Sequence, residues 1–201
     1  CGNGTLDSGF NSTGIVTATI GPGLATDTCA LGLQGDGKIM VAGASQSGDI
    51  VLYRYDATGA PDALNFGTKG KTVTTLATAA RSPALALQSN GKIIVATGTD
   101  VDEVVMRFGT DGVLDITFGT GGTGIVTTDI GGNVNYANAV AVQSTPANPL
   151  TDDKIVVAGH ANVNISTDAS DISLVRYTKD GALDTTFGPN RDGKVTTDLG
   201  G

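Results

Sequence analysis

The chain has 201 residues, 30 of them glycine, with no tryptophan, one histidine, 16% charged residues and a formal net charge of −8. An acidic balance without any Lys/Arg cluster excludes a binder of phosphate backbones, and the apolar runs fall far short of the roughly 20 residues that a membrane-spanning helix needs. The glycine content points instead to a turn-rich β protein, because glycine supplies the positive φ values that tight turns require.

The chain opens at Cys1 rather than methionine, the pattern of a processed mature chain or a fragment. With only Cys29 as a second cysteine, Cys1 has three readings: a disulfide within the chain, a bridge to another subunit, or a lipid anchor on an N-terminal cysteine; two free thiols is the plain alternative. Asn3, Asn11 and Asn164 each begin a glycosylation acceptor pattern, although a Thr-, Ser- and Asn-rich chain supplies such matches by chance.

Residues 1–20 then carry the first copy of a recurrent segment, close to Leu-Asp-x-x-Phe-Gly and followed by a Thr-rich strand. Its copies contain Asp7, Asp62, Asp115 and Asp184, and lead to Phe10, Phe66, Phe118 and Phe187. Periods of this size mean stacked units. In the first copy the strand is Gly14 to Thr17, an extra outer strand ahead of three full units at approximately 21–76, 77–129 and 130–201.

Each full unit reads as four strands, a to d. The a strands (Ala30 to Gln34, Ala84 to Gln88, Ala139 to Gln143) alternate small and large apolar residues, and both faces are expected to be buried. The b strands start at Lys38, Lys92 and Lys154 and run on as β-branched core segments. Asp36-Gly37 and Asn90-Gly91, between a and b, predict two-residue primed hairpin turns. The c strands end in Arg54-Tyr55, Arg107-Phe108 and Arg176-Tyr177, and the half-polar d strands suit an outer edge. The third unit is longer: Ser144 to Asp153 replaces the a–b turn, and His160 to Ser170 replaces the b–c connection.

The predicted fold is therefore all-β: repeated four-stranded antiparallel meanders, β-propeller-like, three units plus an extra N-terminal strand. Leu183-Asp184-Thr185-Thr186-Phe187-Gly188, Gly193-Lys194-Val195-Thr196-Thr197-Asp198 and Gly91-Lys92-Ile93-Ile94-Val95-Ala96 resemble the delta-60 repeat, a β-propeller family of unknown function, across nearly the whole chain. The resemblance implies a repeat-built protein of the kind found in large bacterial secreted or surface proteins, with no catalytic residues to carry over. Pro61 in place of leucine, one residue inserted before Phe66, and the third unit's insertions depart from its pattern.

Chemistry is sparse by comparison. The repeated aspartates are candidate calcium ligands, but each is expected to cap its own turn. The phenylalanines, once per unit, are expected to plug the core of each blade rather than line a ligand groove. Arg54, Arg107 and Arg176 are expected to pair within their own blade rather than bind an anion. His160, alone and expected in an exposed loop, offers neither a multi-histidine metal site nor a catalytic triad. Asp100, Asp102 and Glu103 form the one carboxylate cluster that glycoside hydrolysis could use. No cofactor or metal is expected.

These observations lead to a non-enzymatic structural or adhesive β-repeat protein, secreted or on the cell surface. Its expected partners are copies of itself or further repeats of a longer chain, joined into an oligomer or filament by strand complementation of the unpaired first strand. The alternatives are a propeller-type binding module for glycan, peptide or calcium, with its ligand held by the third unit's insertions, and, further off, a glycan-active enzyme.

Overall fold

The structure, a computed structural model, describes residues 4–20, 29–99, 101–131, 135–144, 152–164 and 169–199. It contains three sheets of four strands. The first is built from β1 (Cys29–Leu33), β2 (Ile39–Ala44), β3 (Ile50–Tyr55) and β4 (Lys71–Thr74). The second comprises β5 (Arg81–Leu87), β6 (Ile93–Gly98), β7 (Glu103–Phe108) and β8 (Ile125–Thr128), and the third β9 (Asn135–Gln143), β10 (Lys154–Asn164), β11 (Ala169–Tyr177) and β12 (Lys194–Thr197). Within every sheet the strands pair antiparallel in chain order, so each sheet is a meander and each is one blade.

The a–b turns depart from the primed hairpins expected. Gln34 and Lys38 close a three-residue loop in which Gly37 N–H donates to Gln34 C=O, and Gln88, Gly91 and Lys92 repeat it. Only the glycines take positive φ (Gly37 +85°, Gly91 +81°), whereas a two-residue type I′ turn needs it at both central residues and type II′ at the first, where Asp36 and Asn90 stand. Asp36 and Asn90 instead accept from the N–H two residues on, in Lys38 and Lys92.

The blades stack face to face through two apolar clusters. Met40, Ala42, Ile50 and Leu52 of the first blade meet Ile93, Val95, Met106 and Phe108 of the second. Ile94, Ala96 and Val105, on the second blade's other face, meet Ile155, Val157, Val175 and Tyr177 of the third. Strand alternation explains this division: Leu31, Val41 and Tyr53 share one row, Gly32, Met40 and Arg54 the next, and adjacent rows point to opposite faces. The b strand β6, covered on both sides, is buried at every residue. Each buried Ile, Leu or Phe contributes roughly 1.5–3 kcal/mol.

The a strands use their small and large positions differently. The small residues face the following blade; a side chain at Gly32 would run into Leu85. The large ones face the preceding blade, as Val140 and Val142 do in packing on the second blade. The expectation that both faces of every a strand are buried is therefore corrected at the two ends. Leu31 and Leu33 of β1 are 65% and 67% exposed, and Ala139 and Ala141 of β9 are exposed on the opposite side of the stack.

Two further expectations change. The b–c insertion of the third unit lengthens a hairpin rather than forming a loop, since β10 and β11 run to 11 and 9 residues. His160 accordingly lies in a strand, paired with Ile172 and Tyr136, with its ring 4.6 Å from that of Tyr136. Residues 14–20, where an extra outer strand is expected, lie beside the first blade but join no ladder among the described residues. They are held by Tyr53 Oη and Lys71 Nζ, which donate to Thr19 C=O, and by Ile20 lying over Gly43.

Candidate functional site

Within each blade, the arginine that ends strand c meets the aspartate of the recurrent motif. Arg54 Nε lies 3.0 Å from Asp62 Oδ2, Arg107 Nε 2.8 Å from Asp115 Oδ2, and Arg176 Nε 2.8 Å from Asp184 Oδ2. The other carboxylate oxygen caps the turn: Asp115 Oδ1 accepts from Thr117 N and Oγ1, and Asp184 Oδ1 from Thr186 N and Oγ1. The lysine that opens strand b adds a third charge, Lys92 on Asp115 and Lys154 on Asp184. Burial pushes Asp115 and Asp184 up, but hydrogen bonds from threonine and lysine and the arginine charge outweigh it, holding both carboxyls well below the usual range. The aspartates thus cap turns and pair with arginine, the roles expected for both residue types.

The same arginines reach across to the next blade. Arg54 Nη1 donates to Thr110 C=O at 2.5 Å and Arg107 Nη1 to Lys179 C=O at 2.7 Å. Just beyond the motif, Gly67 N–H donates to Asp111 C=O and Gly119 N–H to Asp180 C=O, both at 2.8 Å. The phenylalanine ring, beneath its own arginine at 4.7–4.9 Å, then presses on a glycine of the next blade. A Cβ at Gly112 would stand 2.7 Å from the Phe66 ring, and one at Gly181 2.8 Å from that of Phe118. Each joint therefore has three parts: an arginine to a carbonyl, an N–H to a carbonyl, and a ring on a glycine.

Both ends of the stack carry part of this joint. At the N-terminal end, Asn11 N–H donates to Thr58 C=O at 2.7 Å and Phe10 lies 3.0 Å from a Cβ at Gly59, so residues 5–20 stand in for the motif of a preceding blade. No described residue donates to Ala57 C=O, the counterpart of Thr110 and Lys179. At the C-terminal end, Arg176 Nη1 reaches only the Gln143 side chain, at 3.3 Å. Open grooves along β4 and β8 sit at equivalent places in two such joints.

The remaining candidates do not converge. Glu103 is fully buried between the second and third blades, its Oε1 2.8 Å from Tyr177 Oη, which is also 2.7 Å from Thr128 Oγ1. Burial, only partly offset by the Tyr177 hydrogen bond, pushes its carboxyl up to about 7. Asp102 lies in the turn before it, and Asp100 falls outside the described residues. Glu103 is therefore not placed to face an open cleft as glycoside hydrolysis would require. Cys29 is an exposed thiol at the start of β1; Cys1 and Asn3 fall outside the described residues. Asn11 is committed to the N-terminal turn, with Nδ2 on Ile15 C=O, and Asn164 ends β10. Among the described residues, no three His, Cys, Asp or Glu side chains are grouped to hold a metal ion. Among the same residues, no helix is long and apolar enough to cross a membrane.

The arginine-to-carbonyl contact and the Glu103–Tyr177 pair were not anticipated from sequence. The second has a sequence signal: the strand alignment puts Glu103 where the first blade has Ile50, and Tyr177 where the second has Phe108. A family model described as "Domain of unknown function (DUF5122) beta-propeller" matches residues 34–64, 88–118 and 150–187, one match per blade. No curated protein matches the chain.

Two outcomes are expected. Alanine at Gly112 adds a ring clash to the strain of a positive φ, whereas at Gly131, also at positive φ, a Cβ meets nothing within 4 Å. Gly131→Ala should cost about 1–2 kcal/mol and Gly112→Ala distinctly more, read by urea denaturation. Because the folded pKa of Glu103 lies above its unfolded value, its contribution is complete below about pH 4.5 and is lost as pH rises through about 7. Glu103→Gln should remove a decline on the order of 3 kcal/mol across that window, seen as the difference between the two stability–pH curves.

Proposed function

From a chain that belongs to the DUF5122 β-propeller domain family of unknown function, we infer a structural, non-enzymatic module that joins further blades at its two end faces, in a secreted or cell-surface setting. The observation that carries this reading is the pair of half-joints. One end offers an unclaimed carbonyl at Ala57 beside exposed Leu31 and Leu33; the other offers an arginine without a cross-blade carbonyl beside exposed Ala139 and Ala141. Inside the molecule, a large a-strand residue meets a small one where Leu85 lies over Gly32, and Val140 and Val142 likewise pack toward the second blade. The two end faces are thus complementary to each other and not to themselves. The secreted or surface setting rests on the resemblance of the repeats to those of bacterial surface proteins.

Glutamate at an exposed position blocks one face without a folding cost. Leu31→Glu and Ala141→Glu should each abolish self-association, while an equimolar mixture of the two should give a 1:1 dimer and nothing larger, measured by sedimentation velocity. A wild-type chain that stays monomeric at millimolar concentration, together with a mixture that stays monomeric, would refute the reading.

A further inference from the structure

We propose that residues 5–20 are a built-in plug on the docking face of the first blade, displaced when the third blade of a second copy of this chain takes the same seat. The inference rests on the blade-joining function above and specifies how that joining is held back.

The plug copies the internal joints position by position. Phe10 lies on Gly59 as Phe66 lies on Gly112 and Phe118 on Gly181. Asn11 N–H donates to Thr58 C=O as Gly67 and Gly119 N–H donate to Asp111 and Asp180 C=O. Lys71 Nζ donates to Thr19 C=O as Lys194 Nζ donates to Asp129 C=O. In a joint between copies, Phe187 of the arriving blade would need the Gly59 site that Phe10 fills. One site cannot hold two rings, so the plug and the second copy are exclusive.

Several differences from the internal joints weaken the plug, against one added contact, Tyr53 Oη to Thr19 C=O, where the other blades carry Met106 and Val175. Among the described residues the Asp7 carboxylate meets no arginine and accepts from Gly9 N–H, whereas the Asp115 and Asp184 carboxylates each hold an arginine and a lysine. Asn11 takes a positive φ of 47° where the other joints use glycine, a conformation less comfortable for a side chain. Phe10 is half-buried, against 1% and 0% exposure for Phe66 and Phe118. Residues 14–20 join no ladder among the described residues, so their leaving breaks side-chain contacts to Thr19 C=O rather than strand pairing. The plug also covers only part of the face: Leu31 and Leu33 stay exposed, and no described residue donates to Ala57 C=O. An arriving third blade brings what the plug lacks, with Arg176 for the Ala57 carbonyl and the Ala139–Ala141 surface for the two leucines. The second copy is the occupant because it carries the missing half of a joint that the chain already makes twice.

Sedimentation equilibrium of the full chain tests this. Phe10→Ala empties the seat, and Asn11→Pro removes the N–H and forbids the positive φ; each should tighten self-association at least tenfold. Adding Leu31→Glu to either should reverse the gain, which separates use of this seat from general stickiness. Association that is unchanged or weaker in both release variants, with the wild type still associating, would overturn the plug and leave the blade-joining function standing. If the wild type and both release variants stay monomeric, both fall.

Discussion

A guanidinium buried between blades is the constraint from which the rest of this architecture follows. Arg54 and Arg107 are 5% and 3% exposed, and a charge so far from water is tolerated only when its donors are paired. The planar fork of arginine points its donors in separate fixed directions, so satisfying it draws in several segments at once. Nε takes the motif aspartate, Nη2 the turn after it, through Asn65 C=O or Thr117 Oγ1, and Nη1 a carbonyl of the next blade. The flat face covers the phenylalanine ring, which rests on a glycine. The recurrent motif is thus the set of residues that one buried arginine requires.

Much of this was readable because each requirement recurs. Period-two apolar runs marked the strands, Leu-Asp-x-x-Phe-Gly marked the turns, and the repetition of both identified blades before any contact was known. The pairing of arginine with aspartate within a blade followed from their fixed places at strand end and turn. The cross-blade hydrogen bond did not, because its acceptor is a backbone carbonyl, which Thr110 and Lys179 carry as any residue would. The turns were misjudged for a related reason: Asp-Gly suits both a two-residue and a three-residue hairpin, and the choice depends on backbone geometry at Asp36. His160 read as loop because polar residues surround it, yet strand pairing with a neighbouring lengthened strand claimed it.

The small and large alternation of the a strands held more information than a mark of strand. It orders the faces: small residues look toward the next blade and large residues toward the last, so each blade has a front and a back. Exposure of Leu31 at one end and Ala141 at the other is the same pattern left without its counterpart.

Near-identical repeats carry a hazard, since a blade that fits one neighbour fits them all and the stack can assemble out of order during folding. The Glu103–Tyr177 contact bears on that hazard. At the first joint the corresponding positions hold Ile50 and Phe108, both inside the apolar cluster. If the first blade were to pair with the third, Tyr177 would face Ile50 in place of Glu103 and keep at most a threonine hydroxyl, since Thr74 stands where Thr128 does, so the hydrogen bond to the carboxyl, worth about 0.5–1.5 kcal/mol, would be lost. A single carboxyl and a single hydroxyl, hidden from solvent, thereby favour one sequence of neighbours among otherwise interchangeable units.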